Sequence, residues 1–263
     1  MPKPATYGAV MASLKEMAGH RGVKLGACIM EFESPGIGHI YRAAGADFVF
    51  VDCEHSGIGI EGLKRILRYL EAAGMPHFVR RAGKAYPDIA TALDAGAEGL
   101  LLPMAGSAGE VRELAGYMKY PPDGVRGVAL GIAHDRYAAG PAKEALAAAN
   151  ARTVCIPLIE TAEGVENVEA IAALPQVDLL WIGHFDLSCS LGVPGAFDHP
   201  DFASAHRRIV DAARGAGKSV GRLVGSPEEG RRLIDEGVDF ICYGTDASLL
   251  LQAARAGFET MRS

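Results

Sequence analysis

The feature that most constrains this chain is a strict alternation of short apolar runs with stretches of helical spacing. The runs fall at 25–30, 48–52, 77–80, 99–103, 153–159, 179–183, 219–224 and 240–244. Helical spacing fills the gaps at 37–44, 62–73, 87–95, 108–118, 142–151, 163–173, 202–213, 227–235 and 247–261. A lead-in helix is expected over 7–19, with Val10, Leu14 and Met17 on one face. Helix starts are well punctuated: Ser226-Pro227-Glu228-Glu229 supplies an N-cap, a proline at the first helical position and a glutamate at the third. A phrase recurs as AGAD at 44–47, AGAE at 95–98 and EGVD at 236–239, each a helix end, a capping glycine and the entry to a strand. Eight such units predict an α/β fold of the (β/α)8 TIM-barrel type, with residues 1–263 as one domain. The competing doubly wound sheet lacks a GxGxxG after its first strand.

Composition narrows the function classes. Apolar residues make up 49% of the chain, enough for a full core, and the net charge of −6 with basic residues only in pairs argues against nucleic acid. No apolar run approaches the roughly 18 residues of a membrane span, and no signal peptide is expected. The five cysteines, at 28, 53, 155, 189 and 242, form no CxxC pair, which fits a reduced, cytoplasmic protein.

In a barrel, function is sought where the strands end. Strand two ends in Asp52-Cys53-Glu54-His55, strand three in Arg80-Arg81, strand five in Glu160 and strand six in His184-Phe185-Asp186. Glu160 and Asp186 close adjacent parallel strands, so they are either caps and loop acids or ligands of a hard cation such as Mg²⁺ or Mn²⁺. His55 is a general base or a helix-start histidine paired with Glu54. Arg80 forks onto a substrate carboxylate or pairs with a loop acid. His184 is a further ligand or a packed histidine. Only Lys84 could approach the site, which disfavours imine chemistry. The run Tyr120-Pro121-Pro122-Asp123-Gly124-Val125-Arg126-Gly127 reads as a rigid turn on the active face.

These phrases, with Leu102-Pro103-Met104, Ile159-Glu160-Thr161, Ile182-Gly183-His184-Phe185-Asp186-Leu187-Ser188 and Gly244-Thr245-Asp246, resemble in order and spacing the metal-dependent class II pyruvate aldolases of the HpcH/HpaI aldolase/citrate lyase family. The resemblance runs from Gly26 to about Leu251. It implies that Glu160 and Asp186 bind a divalent metal ion, Mg²⁺ or Mn²⁺ with Co²⁺ or Zn²⁺ as alternatives. It implies that Arg80 steadies the oxygen on which enolate charge develops, that His55 is the base, and that Asp94 orients it. The main chain at Phe185, beside Asp186, is implied to receive the substrate carboxylate. It further implies a last helix exchanged between subunits in a trimer of dimers, which fits the apolar residues Leu249, Leu250, Leu251, Phe258 and Met261.

Two departures bear on specificity. Leu158 stands at a substrate-contacting position where many members have glutamine, and His184-Phe185 stands where many have a proline and a small residue. The expected activity is reversible cleavage of a 4-hydroxy-2-oxoacid to pyruvate, or a close 2-oxoacid, and an aldehyde. The alternatives are a citrate-lyase-like acyl-CoA lyase and a non-catalytic 2-oxoacid-binding barrel.

Overall fold

The structure is a computed structural model that describes residues 11–138 and 140–263. Eight parallel strands close into a barrel in the order β1 (Lys24–Ile29), β2 (Phe48–Asp52), β3 (His77–Arg80), β4 (Gly99–Leu102), β5 (Val154–Ile159), β6 (Leu179–Ile182), β7 (Ser219–Val224) and β8 (Phe240–Thr245). Around them run α1 (Leu14–Ala18), α2 (Ile37–Ala43), α3 (Ile60–Ala72), α4 (Tyr86–Asp94), α5 (Ala108–Met118), α6 (Ala142–Arg152), α7 (Ala162–Glu166), α8 (Val168–Ala172), α9 (His184–Ser190), α10 (Pro200–Gly215), α11 (Pro227–Glu236) and α12 (Asp246–Arg262). No helix among the described residues is long and apolar enough to cross a membrane.

The (β/α)8 expectation is met, with four local differences. The lead-in helix lies partly outside the described residues. Within them it starts only at Leu14, because Ser13 and Glu16 form a reciprocal capping box. The expected helix over 163–173 divides at Asn167, which departs from helical dihedrals (φ −102°, ψ 5°) while its side-chain amide donates to the Gly106 carbonyl at 2.9 Å and the Glu163 carbonyl at 3.1 Å. A short helix, α9, follows β6 directly. The Tyr120–Gly127 turn is not on the active face. Its backbone bonds to the carbonyls of Gly116 and Lys119 at the far end of α5, towards the strand starts.

The barrel interior is aromatic. Phe50 and Phe78 stack at 5.1 Å, and Trp181 meets Phe78 edge-on at 5.1 Å. Gly221 lets the indole approach, since a Cβ there would fall 2.4 Å from the Trp181 ring. This dry floor, with Leu158 and Cys28 in it, closes the barrel under the strand ends. All five cysteines are free, four of them buried.

Asp246 locks the ring shut. At the start of α12 and 4% exposed, its carboxylate accepts from the backbone N–H groups of Met30, Glu31 and Phe32 beyond β1. Leu249 still packs on the core, but beyond it α12 turns an apolar face to solvent, with Leu250, Leu251, Phe258 and Met261 each more than half exposed. A cavity of about 530 Å³ lies open between α2 and α11, over the outer face of β8 and β1, lined by Ala27, Tyr41, Val224, Ile234 and Ile241 among others.

Candidate active site

Glu160 is the buried centre of the strand-end face, 3% exposed. The Met104 N–H donates to its Oε1 at 2.6 Å, and Met104 holds a left-handed φ of 50°. That conformation is costly for a non-glycine residue, of order 1–3 kcal/mol, and here it accompanies an N–H pointed at the acid. On the other side, Gly183 admits the carboxylate: a Cβ there would lie 2.5 Å from Glu160 Oε2.

Burial, with the neighbouring Asp186 charge adding to it, raises the Glu160 carboxyl to about 7, against the lowering effects of the Met104 N–H and Arg80. Asp186, third residue of α9, is exposed at the mouth. Among the described residues no cluster of three or more His, Cys, Asp or Glu could enclose a metal ion. Two carboxylates that repel one another, with positions left open, suit a hard divalent ion that also binds substrate oxygens and water. The donor set fits such an ion.

Arg80 closes β3 beside them. Its Nη2 lies 2.5 Å and its Nε 3.0 Å from the two oxygens of Asp52, and Nε is 3.1 Å from Glu54 Oε2. Burial opposes the guanidinium charge, but the hydrogen bonds to Asp52 and the charges of Asp52, Glu54 and Glu160 outweigh it and raise its pKa. The ring of Phe50 lies beneath, 5.7 Å from the guanidinium carbon. Arg80 is thus held as a fixed fork, and the partners that hold it are loop and strand acids. Asp52, 1% exposed, also accepts from the Glu54 N–H at 2.9 Å, shaping the turn that carries His55. His55 is open to solvent, with Nε2 4.0 Å from Glu54 Oε2.

Of the expected site residues, one chain therefore brings together Glu160, Asp186, Arg80 and His55 on the strand-end face. Phe185 is there too, 60% exposed, but its ring packs on His184 and Phe197. His184 is the packed histidine: burial and the Arg222 charge push it down to about 3. Leu158 is 1% exposed within the aromatic floor. Asp94 stands apart. It ends α4, which runs back from β3, so it lies towards the strand starts and pairs with Arg126. Within one chain it does not meet His55. Lys84 is engaged by Glu110 and the Met104 carbonyl. Asp52 and Asp246 were missed as organising residues. The signal for Asp52 was its place at a strand end two residues before Glu54.

Comparison with known proteins agrees with this geometry. The HpcH/HpaI aldolase/citrate lyase family model matches residues 31–253. A hydroxypyruvate/pyruvate aldolase of Chromohalobacter salexigens is 34% identical over 86% of this chain and 89% of its own. A 4-hydroxy-2-oxo-heptane-1,7-dioate aldolase of Shigella sonnei is 32% identical over 82% of each. A solved HpcH/HpaI aldolase/citrate lyase family protein from Burkholderia cenocepacia superposes with a TM-score of 0.88 at 32% identity, covering 95% of this chain and 99% of its own.

Proposed function

The chain belongs to the HpcH/HpaI aldolase/citrate lyase family and is an aldolase, and from that premise we propose the reaction its site performs. It reversibly cleaves a 4-hydroxy-2-oxoacid to pyruvate, or a close 2-oxoacid such as hydroxypyruvate, and an aldehyde. The observation that carries this reading is the buried Glu160 facing Asp186, beside an arginine clamped in place by Asp52. The names of the relatives support a 2-oxoacid substrate.

Glu160 and Asp186 would hold Mg²⁺ or Mn²⁺, with Co²⁺ or Zn²⁺ as substitutes. Such an ion supplies Lewis-acid polarisation of the substrate's keto group. The substrate carboxylate lies against the main chain at Phe185, where α9 begins, so the start of the turn and Asp186 together orient the 2-oxoacid. In cleavage His55 takes the proton from the C4 hydroxyl, the C3–C4 bond breaks, and its electron pair moves towards the C2 oxygen. Arg80 donates to that oxygen as its charge grows. Its charge is already fixed by Asp52 and Glu54, so little reorganisation is needed during the reaction. The aromatic floor excludes water from below. A proton delivered to C3 completes pyruvate. Asp94 can orient His55 only from a neighbouring copy, because its own barrel keeps the two at opposite ends.

A neighbour is part of the reading. The exposed apolar face of α12 and the open groove between α2 and α11 are complementary in character, and we place α12 of one subunit in that groove of another, within a hexamer built as a trimer of dimers.

The test is deuterium exchange into the pyruvate methyl group with Mn²⁺ or Mg²⁺ and with chelator. Exchange should require the metal and vanish in Glu160→Ala and Asp186→Ala. No exchange with any divalent ion would sink the aldolase mechanism drawn here, and a panel of aldehydes identifies the partner once exchange is seen.

A further inference from the structure

Arg222, on β7, is among the largest fully buried side chains, and the aldol chemistry does not use it. Gly221 faces the barrel interior, so Arg222 faces outward, into the layer beneath α10. Its Nη2 lies 3.0 Å from Glu229 Oε1, its Nε has no partner, and its guanidinium carbon is 5.6 Å from the ring centres of both Phe197 and Phe202. Withdrawing a guanidinium from water is unfavourable, and an apolar side chain of similar volume would fill the layer without that cost. What the charge adds is a flat, rigid cation that two rings can stack on.

The stack leads to the metal-side acid. The Phe197 ring meets Phe185 edge-on at 5.0 Å and His184 at 5.1 Å. Ser188 ties the same segment a second time: its Oγ donates to the Phe185 carbonyl at 2.6 Å and accepts from the Gly195 N–H at 2.9 Å. Arg222 is in register with Ile182, the last residue of β6, so it sits beside the point from which the turn departs. Asp186 is exposed, and its place is inherited from the backbone of that turn.

We propose that Arg222 is a positioning residue for Asp186: held by Glu229 and stacked on Phe197, it fixes the turn from His184 to Asp186 and so sets that carboxylate opposite Glu160. The consequence for metal binding rests on the function proposed above, whereas the mechanical link does not.

Two measurements separate these. The first is amide hydrogen exchange across 183–191, and the second is the Kd for Mn²⁺ without substrate. Arg222→Met and Phe197→Leu should speed exchange in 183–191 while the amides of α4 and α5 keep their wild-type rates. Both should weaken Mn²⁺ binding by about 10–100-fold, the usual effect of removing a group that orients a ligand. At saturating Mn²⁺ the KM for the 2-oxoacid should still rise, since the loosened turn also carries the main chain at Phe185 that receives the substrate carboxylate. Phe197→Tyr, which keeps the ring, should restore both readouts. Unchanged exchange across 183–191 in folded variants would overturn the proposal, as would faster exchange everywhere, which marks general destabilisation. Should Arg222→Met not fold, Phe197→Leu decides alone. Should the wild-type protein bind no Mn²⁺, the metal reading of Glu160 and Asp186 fails, and the exchange data still decide the role of Arg222.

Discussion

Gly183→Ala tests the geometry of the site with a single methyl group. At φ −88° and ψ 81° the backbone tolerates alanine, so the substitution adds a Cβ and little conformational strain. That Cβ would stand 2.6 Å from the Cβ of Glu160 and 2.5 Å from its Oε2. Carbon atoms settle about 3.5–4.0 Å apart, so the Glu160 side chain must retreat by about 1 Å. A displacement of about 1 Å in a catalytic constellation costs about 10²-fold in rate. The overpacking itself should cost about 1–3 kcal/mol of stability, which lowers Tm by several degrees without unfolding the protein. The assay is pyruvate release from a 4-hydroxy-2-oxoacid over a Mn²⁺ titration, giving kcat/KM and the metal concentration at half activity. Both should worsen. Gly116→Ala in α5, where an added Cβ meets nothing within 4 Å, is the control and should gain about 0.5–1 kcal/mol with unaltered kinetics. Wild-type kcat/KM and metal dependence in Gly183→Ala would refute the placement of Glu160 against Gly183.

Arg80→Lys removes the two-pronged contact with Asp52 and, on the mechanism proposed, the donor to the developing charge, and should lower kcat by about 10²–10³-fold in steady-state assays. Glu160 binds its proton near pH 7 in the folded, metal-free chain against 4.5 as an ordinary carboxylate, so the folded state holds the extra proton between those values. This group's contribution to stability therefore falls as pH rises from 4.5 through 7. Urea denaturation should show metal-free wild type gaining on Glu160→Gln as pH drops from 8 to 5, by at most about 3 kcal/mol, and a flat difference would refute the shift. Mn²⁺ affinity should fall below pH 7 as protons compete for the same oxygens. If α12 packs between subunits as proposed, Leu250→Asp or Phe258→Asp places a charge on its exposed face and should lower the particle mass in size-exclusion chromatography with light scattering, and an unaltered mass would refute the packing. Asp246→Ala orphans three backbone N–H groups beyond β1 and should cost about 1–3 kcal/mol in chemical denaturation.

The barrel was legible because its periodicity is redundant: eight apolar runs, capping glycines and proline-marked helix starts all report one topology. Placement on the candidate site's face was legible where a residue sits at the end of a strand, as with Arg80 and Glu160, since position in the fold follows directly from the alternation of elements. Legibility failed where a residue's partner comes from another element. Asp52 reads as the edge of an apolar run, and only its pairing with β3 shows that it holds Arg80. Asp94 reads as an orienting acid by resemblance, yet α4 carries it away from His55. The Tyr120–Gly127 run has the composition of an active-face turn, but its backbone bonds at the far end of α5 settle its place.

His184 and Phe185 show why such pairings matter for specificity. A proline before the second acid would stiffen the turn through its own ring. This chain has a histidine and a phenylalanine there, which gain rigidity only if something holds their rings. Phe197 does so from the segment before α10, and Arg222 does so beneath Phe197 from β7. The departure in the turn and the buried arginine are thus two ends of one arrangement, separated by 38 positions in the chain and joined by ring contacts. Changing Phe185 alone to a small residue would then leave Phe197 and Arg222 without their outer partner. If Asp186 is the metal ligand proposed above, Phe185→Ala should weaken Mn²⁺ binding as well as shift the aldehyde preference, and an altered preference with wild-type Mn²⁺ affinity would refute that link.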